Sequence, residues 1–439
     1  MRASPSNSLT AKFIKSLWVL ACFAENDYNG RQDVQKEETE MISKQMEKLV
    51  HGSSVIRAMF EEGKKMAEKY GAENVYDFSL GNPSVEPPEE VKQAMMDVIQ
   101  EVDPGTLHGY MSNSGFEDVR DRIADHLNRS FDTHFTRDHI IMTVGAAGGL
   151  NVILKTLLDP DDEVIVFAPF FGEYNNYVAN AGGRVVVVPP DTSTFMPNLE
   201  ELKKRISQRT KAVLINTPNN PTGVVYSEQT LKDLAAVLEE KQREFGTDIY
   251  LISDEPYREL VYGDIEVPYV TKYYNNTIVG YSYSKSLSLP GERIGYLVIP
   301  AEAADYEQVA AAANVATRVL GFVNAPSFQQ KVIARCVDAR VDVAVYDRNR
   351  RMLVEKLRNY GYECASPDGA FYLFVKSLEP DDSAFVAKAK EFNLLLVPGS
   401  SFACPGYVRI AYCVDHEMIL RALPAFEKLA EVYNFSESQ

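Results

Sequence analysis

The stretch YSYSKSLSLPGERIGY, residues 281–296, sets serines three and one positions before Lys285 and places Arg293 eight positions after it, behind a Pro-Gly pair. A lysine in such a setting is either an ordinary solvated side chain or a reactive amine with an anion site built round it. The second reading needs partners: a carboxylate, hydrogen-bond donors and a second cation, all delivered by other parts of the chain.

Those partners depend on the elements that carry them. The short runs HIIMTV, EVIVFA, RVVVVPP, AVLINTP, IYLISD and TIVGYSYS are rich in β-branched residues, and LKDLAAVLEEKQREF has the pattern of a helix between two of them. Continuous apolar strands separated by helices predict an α/β fold whose sheet is largely parallel and covered on both faces. Ligands in such folds bind at the carboxyl ends of the strands. After HIIMTV comes GAAGG, residues 145–149, a small-residue entry to a helix that either cradles a phosphate on its N–H groups or is small for steric reasons. After EVIVFA comes Phe171, as a packing residue or a platform. After AVLINTP comes PNNPTG, with Asn220, too polar and rigid for a mere connection. After IYLISD comes Asp254, a helix cap or a buried acid in need of a cation, with Tyr257 three positions on. Together these strand ends would offer an amine, a carboxylate, a phenol, an amide, an anion cradle and an arginine, a set suited to a phosphorylated, nitrogenous aromatic cofactor held by a lysine.

Composition sets the outer bounds. The 439 residues suggest two joined domains. The chain is 45% hydrophobic and 24% charged, with a net charge of −17 and a pI near 5.0, which argues against nucleic-acid or anionic-membrane partners. Five scattered cysteines without C-x-x-C spacing suggest a reducing compartment and neither a disulfide framework nor a metal site. Residues 1–40 read as a disordered extension. Lys12 and Lys15 before LWVLACFA could be a weak secretory signal, but an upstream extension of a cytoplasmic protein is the preferred reading. Residues 41–85 are expected to form an N-terminal arm and part of the small domain, 86–318 the large cofactor-binding domain, and 319–439 the C-terminal small domain. That last region contains the strands GAFYLFVKS and YVRIAYC and the closing helix MILRALPAFEKLAEVY.

The ordered set GAAGG, APFFGEY, NTPNNPTG, SDEPY, SYSKSLSLPGERIGY and YVRIAYC resembles the class I/II aminotransferases, pyridoxal-phosphate enzymes of fold type I, over roughly residues 45–435. The resemblance implies a large domain with a mostly parallel sheet and a smaller α+β domain. It also implies roles. Lys285 would form the Schiff base and carry the proton at Cα, Asp254 would pair with the pyridine nitrogen, and Tyr257 and Asn220 would hydrogen-bond the 3′ oxygen. Phe171 would stack on the ring. The phosphate would rest on the N–H groups of Ala146 and Ala147, on Ser282 and on Arg293, whose fork suits it. Tyr110 would cross a homodimer interface to the neighbour's phosphate. Arg409, with the Gly81 backbone and Asn220, would bind the substrate carboxylate. The prolines after Ala168 and Asn220 would be cis. The chain departs from the family in its cradle, which has no serine, threonine or lysine side chain, and at Asn82, where relatives are often acidic.

The implied activity is transamination between an amino acid, aspartate as first guess, and a 2-oxo acid such as 2-oxoglutarate. A C–S β-lyase or an alanine-, aromatic- or kynurenine-type aminotransferase stands as the alternative. A cofactor-sensing transcription factor would need a basic DNA-binding domain upstream, and the acidic chain has none. A dicarboxylate substrate needs one more cation, for which Arg318 is a candidate without a place in the sequence alone.

Overall fold

The computed structural model describes residues 42–51 and 55–434. It divides into Met1–Gly52, whose described part is the helix Lys44–His51, and Ser53–Gln439, which holds everything discussed below. The run at 17–24 and the lysines before it lie outside the described residues.

The central sheet has seven strands: β1 (Ile140–Thr143), β2 (Glu163–Phe167), β3 (Arg184–Val188), β4 (Thr210–Asn216), β5 (Tyr250–Asp254), β6 (Thr277–Ser282) and β7 (Gly295–Val298). Their order is β1-β7-β6-β5-β4-β2-β3. The β3/β2, β2/β4, β4/β5 and β5/β6 pairs are parallel, and β7 runs antiparallel to both β1 and β6. Side-chain alternation explains the double cover. Val164 and Val166 pack with Leu150 and Ile153 of the helix Gly145–Leu157, whereas Ile165 and Phe167 pack with Leu231, Leu234 and Leu238 of the helix Glu228–Phe245. Each face therefore buries a row of branched side chains against a helix.

Register then aligns the chemistry. Asn216 pairs with Asp254, Asp254 with Gly280, and Ser282 with Gly295, which also pairs with Thr143. The ends of β1, β4, β5 and β6 thus meet along one edge of the sheet.

A second sheet is antiparallel, with β8 (Tyr372–Lys376), β9 (Val397–Pro398) and β10 (Tyr407–Ala411) in the order β9-β10-β8. Its core includes Tyr346, Phe371, Tyr412 and Phe426, and Phe78 from the N-terminal side of the unit joins it. The helix Ser327–Cys336, expected in the smaller region, buries Val332, Ile333 and Cys336 beside Val91 and Ile123 and so packs with the core of the first sheet.

Ala168–Pro169 is cis, as the resemblance implies. Asn220–Pro221 is not, and the second cis bond is Thr217–Pro218. Asn220–Pro221 lies inside a turn closed by the Gly223 N–H donating to the Asn219 carbonyl at 2.8 Å.

Candidate active site

Five strand ends and β10 surround one cavity, lined by Gly81, Ala146, Ala147, Phe171, Asn220, Asp254, Tyr257, Ser282, Lys285, Arg293 and Arg409. Of the site residues named from sequence, all are there except Tyr110, which is 94% exposed, and the candidate Arg318, also exposed; both lie outside their own chain's cavity.

Lys285 sits in the short helix Tyr283–Ser286 that caps β6, and its Nζ donates to the Gly81 carbonyl at 2.6 Å. Burial pulls its pKa down to about 8, and the charges of Arg293 and Arg409 push the same way. An amine in that state is partly neutral near pH 7, as nucleophilic use requires.

Asp254 ends β5 and is buried. Its Oδ2 accepts a 2.7 Å hydrogen bond from the Tyr174 hydroxyl, while Oδ1 has no partner among the described residues. Burial pushes the carboxyl up to about 7, against the lowering effect of Tyr174. It caps no helix. A buried carboxyl oxygen without a partner is costly, and this one suits a cationic N–H donor from a ligand ring. Phe171 lies in the same cavity, edge-on to Tyr174 at 5.7 Å between centroids.

The anion end is built from backbone. The helix Gly145–Leu157 starts at the first glycine of GAAGG, Val144 before it makes no side-chain cap, and Ala146 and Ala147 of its first turn line the cavity, so this helix start offers backbone N–H groups to an anion. Gly145 has φ +66°, and a Cβ there would lie 2.7 Å from Nη2 of Arg293. Only glycine lets that guanidinium approach the helix end. Ser282 and Ser284 share a 2.8 Å hydroxyl contact beside it. Uncapped N–H groups, an arginine and two hydroxyls suit a phosphate.

At the far end, Arg409 of β10 is buried to 1% exposure. Its Nη1 donates to Asn220 Oδ1 at 3.0 Å and its Nη2 to the Ser79 carbonyl at 2.5 Å, and Nε has no partner among the described residues. The guanidinium lies 4.5 Å from the Tyr372 ring and 5.0 Å from that of Phe402. It keeps donors to spare for a carboxylate. Asn220 therefore serves Arg409 directly, and Tyr257 bonds the Tyr372 hydroxyl at 3.0 Å.

Sequence reasoning assigned no role to Tyr174, Tyr177 or Tyr372, all of which line the cavity. Tyr174 is in the APFFGEY segment, three positions after Phe171 and so one helical turn on, which was a readable signal. Tyr372 opens a strand in sequence far from Tyr257, and nothing local announces the contact.

The family model for aminotransferase class I and II matches residues 73–426. The aspartate aminotransferase of Thermotoga maritima is 33% identical over 392 residues, covering 88% of this chain and 98% of that protein. A crystal structure of an amino transferase from Eubacterium rectale is 50% identical, with a TM-score of 0.88, over 90% of this chain and all of the other. The Thermus thermophilus aspartate aminotransferase solved with maleate is 28% identical at a TM-score of 0.78, over 89% of this chain and all of that one. With a family match across most of its length, and a lysine, an acid and two arginines gathered round one cavity, the chain belongs to the class I and II aminotransferases and is an enzyme of that kind.

Proposed function

We propose that the chain holds pyridoxal 5′-phosphate at Lys285 and moves an amino group from an acidic amino acid, aspartate first, to a 2-oxo acid such as 2-oxoglutarate. The observation that carries the cofactor assignment is Asp254, a buried acid whose Oδ1 is unpartnered in the cavity that Lys285 enters. When bound, the cofactor supplies an aldehyde that condenses with amines and a ring that takes up the electron pair released at Cα. The chain supplies the rest. Asp254 keeps the ring nitrogen protonated, with Tyr174 holding the carboxyl in place. The first-turn N–H groups, Ser282 and Arg293 hold the phosphate. Lys285 Nζ, once free, carries the proton at Cα, and Arg409 orients the substrate by its carboxylate.

The aspartate preference is supported by the names of relatives from Thermotoga maritima and Pyrococcus horikoshii and by the maleate, a dicarboxylate, seen in the Thermus enzyme. Within this chain's cavity the cations among the described residues are Lys285, Arg293 and Arg409, each with a task. The distal carboxylate then needs a cation from outside. Arg318 is exposed near the end of the helix Tyr306–Val319, beside exposed Val319. Asn113, three positions after Tyr110, donates to the Val323 carbonyl at 2.6 Å. A homodimer that covers this face would bring Tyr110 to the neighbour's phosphate and Arg318 to its substrate. The four described cysteines are free, and no helix among the described residues is long and apolar enough to cross a membrane.

Borohydride reduction of the purified holoenzyme followed by peptide mass spectrometry tests the cofactor assignment, with the pyridoxyl group expected on Lys285. A panel of amino donors with 2-oxoglutarate tests the reaction. A label elsewhere, or no donor that reacts, would refute it.

A further inference from the structure

Tyr372 touches both halves of the site. It opens β8 opposite Ala411, two residues along β10 from Arg409, so the two side chains are diagonal neighbours. Its ring underlies the guanidinium at 4.5 Å, its hydroxyl is 3.0 Å from that of Tyr257, and a Cβ on Gly81 would lie 1.9 Å from that hydroxyl. The side chain is buried, and its hydroxyl occupies the space that a side chain at position 81 would need.

Two phenols that share one hydrogen bond have two protons between them, so one proton remains to point elsewhere. If Tyr372 donates, the proton of Tyr257 is free to face the cavity. If Tyr257 donates, it is not. The cation stacked on Tyr372 draws electron density from that ring and strengthens its O–H as a donor. Burial raises both phenols, against the lowering charge of Arg409. The more acidic phenol of a neutral pair is the donor.

We infer that Tyr372 is a positioning residue with two separable tasks: its ring is the platform that holds Arg409 for the substrate carboxylate, and its hydroxyl donates to Tyr257 so that the Tyr257 proton turns toward the cofactor. The inference rests on the reading that pyridoxal phosphate occupies this cavity. The cavity's two ends are then coupled through one side chain.

Two variants of the full-length holoenzyme separate the tasks. Tyr372→Phe keeps the platform and deletes the donor. Tyr372→Leu removes both. The first readout is the pH midpoint of the visible absorbance band without substrate, and the second is the Kd of maleate from its spectral change. Tyr372→Phe should raise the midpoint by about half a pH unit, because Tyr257 becomes a weaker donor to the cofactor's phenolate oxygen. It should leave maleate binding within about twofold. Tyr372→Leu should show the same rise and bind maleate roughly tenfold more weakly, the scale of a desolvated cation–π contact. A midpoint in Tyr372→Phe that stays or falls overturns the donor assignment, and the phenylalanine variant keeps that test open should the leucine variant fold poorly. Wild-type affinity for maleate in Tyr372→Leu overturns the platform. A wild-type protein with no borohydride-sensitive band overturns the cofactor reading and this one with it.

Discussion

Asp254 makes a measurable claim about the protein without its cofactor. Its carboxyl has an ordinary value of 3.8, raised to about 7 in the fold by burial. An acid that binds its proton more tightly when folded loses the fold stability as pH rises through the interval between the two values, and the loss is complete above the folded value. At about 1.4 kcal/mol per pH unit, full ionisation costs on the order of 4 kcal/mol, roughly half of which falls between pH 5.5 and pH 8. Asp254→Asn keeps an oxygen to accept from Tyr174 and removes the charge. Urea unfolding of cofactor-free wild type and variant at pH 5.5 and pH 8 should therefore show the variant gaining about 2 kcal/mol on the wild type over that range. Adding pyridoxal phosphate at pH 8 should reverse the order, since only the wild type has a carboxylate for the ring nitrogen. Parallel pH profiles for the two proteins would refute the reasoning, because they would mean that the carboxylate has a partner the geometry does not show.

Other sites give further tests. The rate of cofactor loading should climb about tenfold per pH unit and level off near pH 8, where Lys285 becomes neutral; a climb continuing to pH 10 in stopped-flow absorbance would mean an ordinary lysine. Gly145→Ala adds a Cβ 2.7 Å from Arg293 at a positive φ, so spectrophotometric titration should find pyridoxal phosphate bound at least ~10-fold more weakly, with about 1–2 kcal/mol lost from stability. Arg318→Ala should raise KM for aspartate by roughly tenfold and leave a neutral amino acid within about twofold, and equal effects on both substrates would remove Arg318 from the site.

Much of this architecture could be read from the chain. The strand runs ending in Asn216, Asp254 and Ser282 are unbroken branched apolar segments followed at once by polar residues, and burial on both faces leaves little else they could be. The strand β7 escaped notice because IGYLVIP directly follows the eye-catching lysine segment, and its antiparallel direction follows from pairing with β6, which no local pattern reports. The helix at 327–336 falls within 319–439, the span expected to be the small domain, whereas it packs beside Val91 and Ile123, more than two hundred positions earlier. Asn220–Pro221 is expected cis by resemblance, whereas the cis bond lies at Thr217–Pro218. Tyr174 lies in a segment the motif order already marks, three positions after Phe171, whereas Tyr372 acts through Tyr257 and Arg409 and is recognisable only when they are placed in space.

Arg409 is held by an amide, a backbone carbonyl and two aromatic rings, and no carboxylate among the described residues pairs with it. If it takes the substrate carboxylate, as proposed, the incoming donor and the incoming acceptor must take turns at that one guanidinium. Each reactant in excess should thus obstruct the other's half of the turnover, and high concentrations of either should slow the enzyme rather than saturate it. A cell that relies on this protein would set its flux by the ratio of the two reactants more than by the level of either alone.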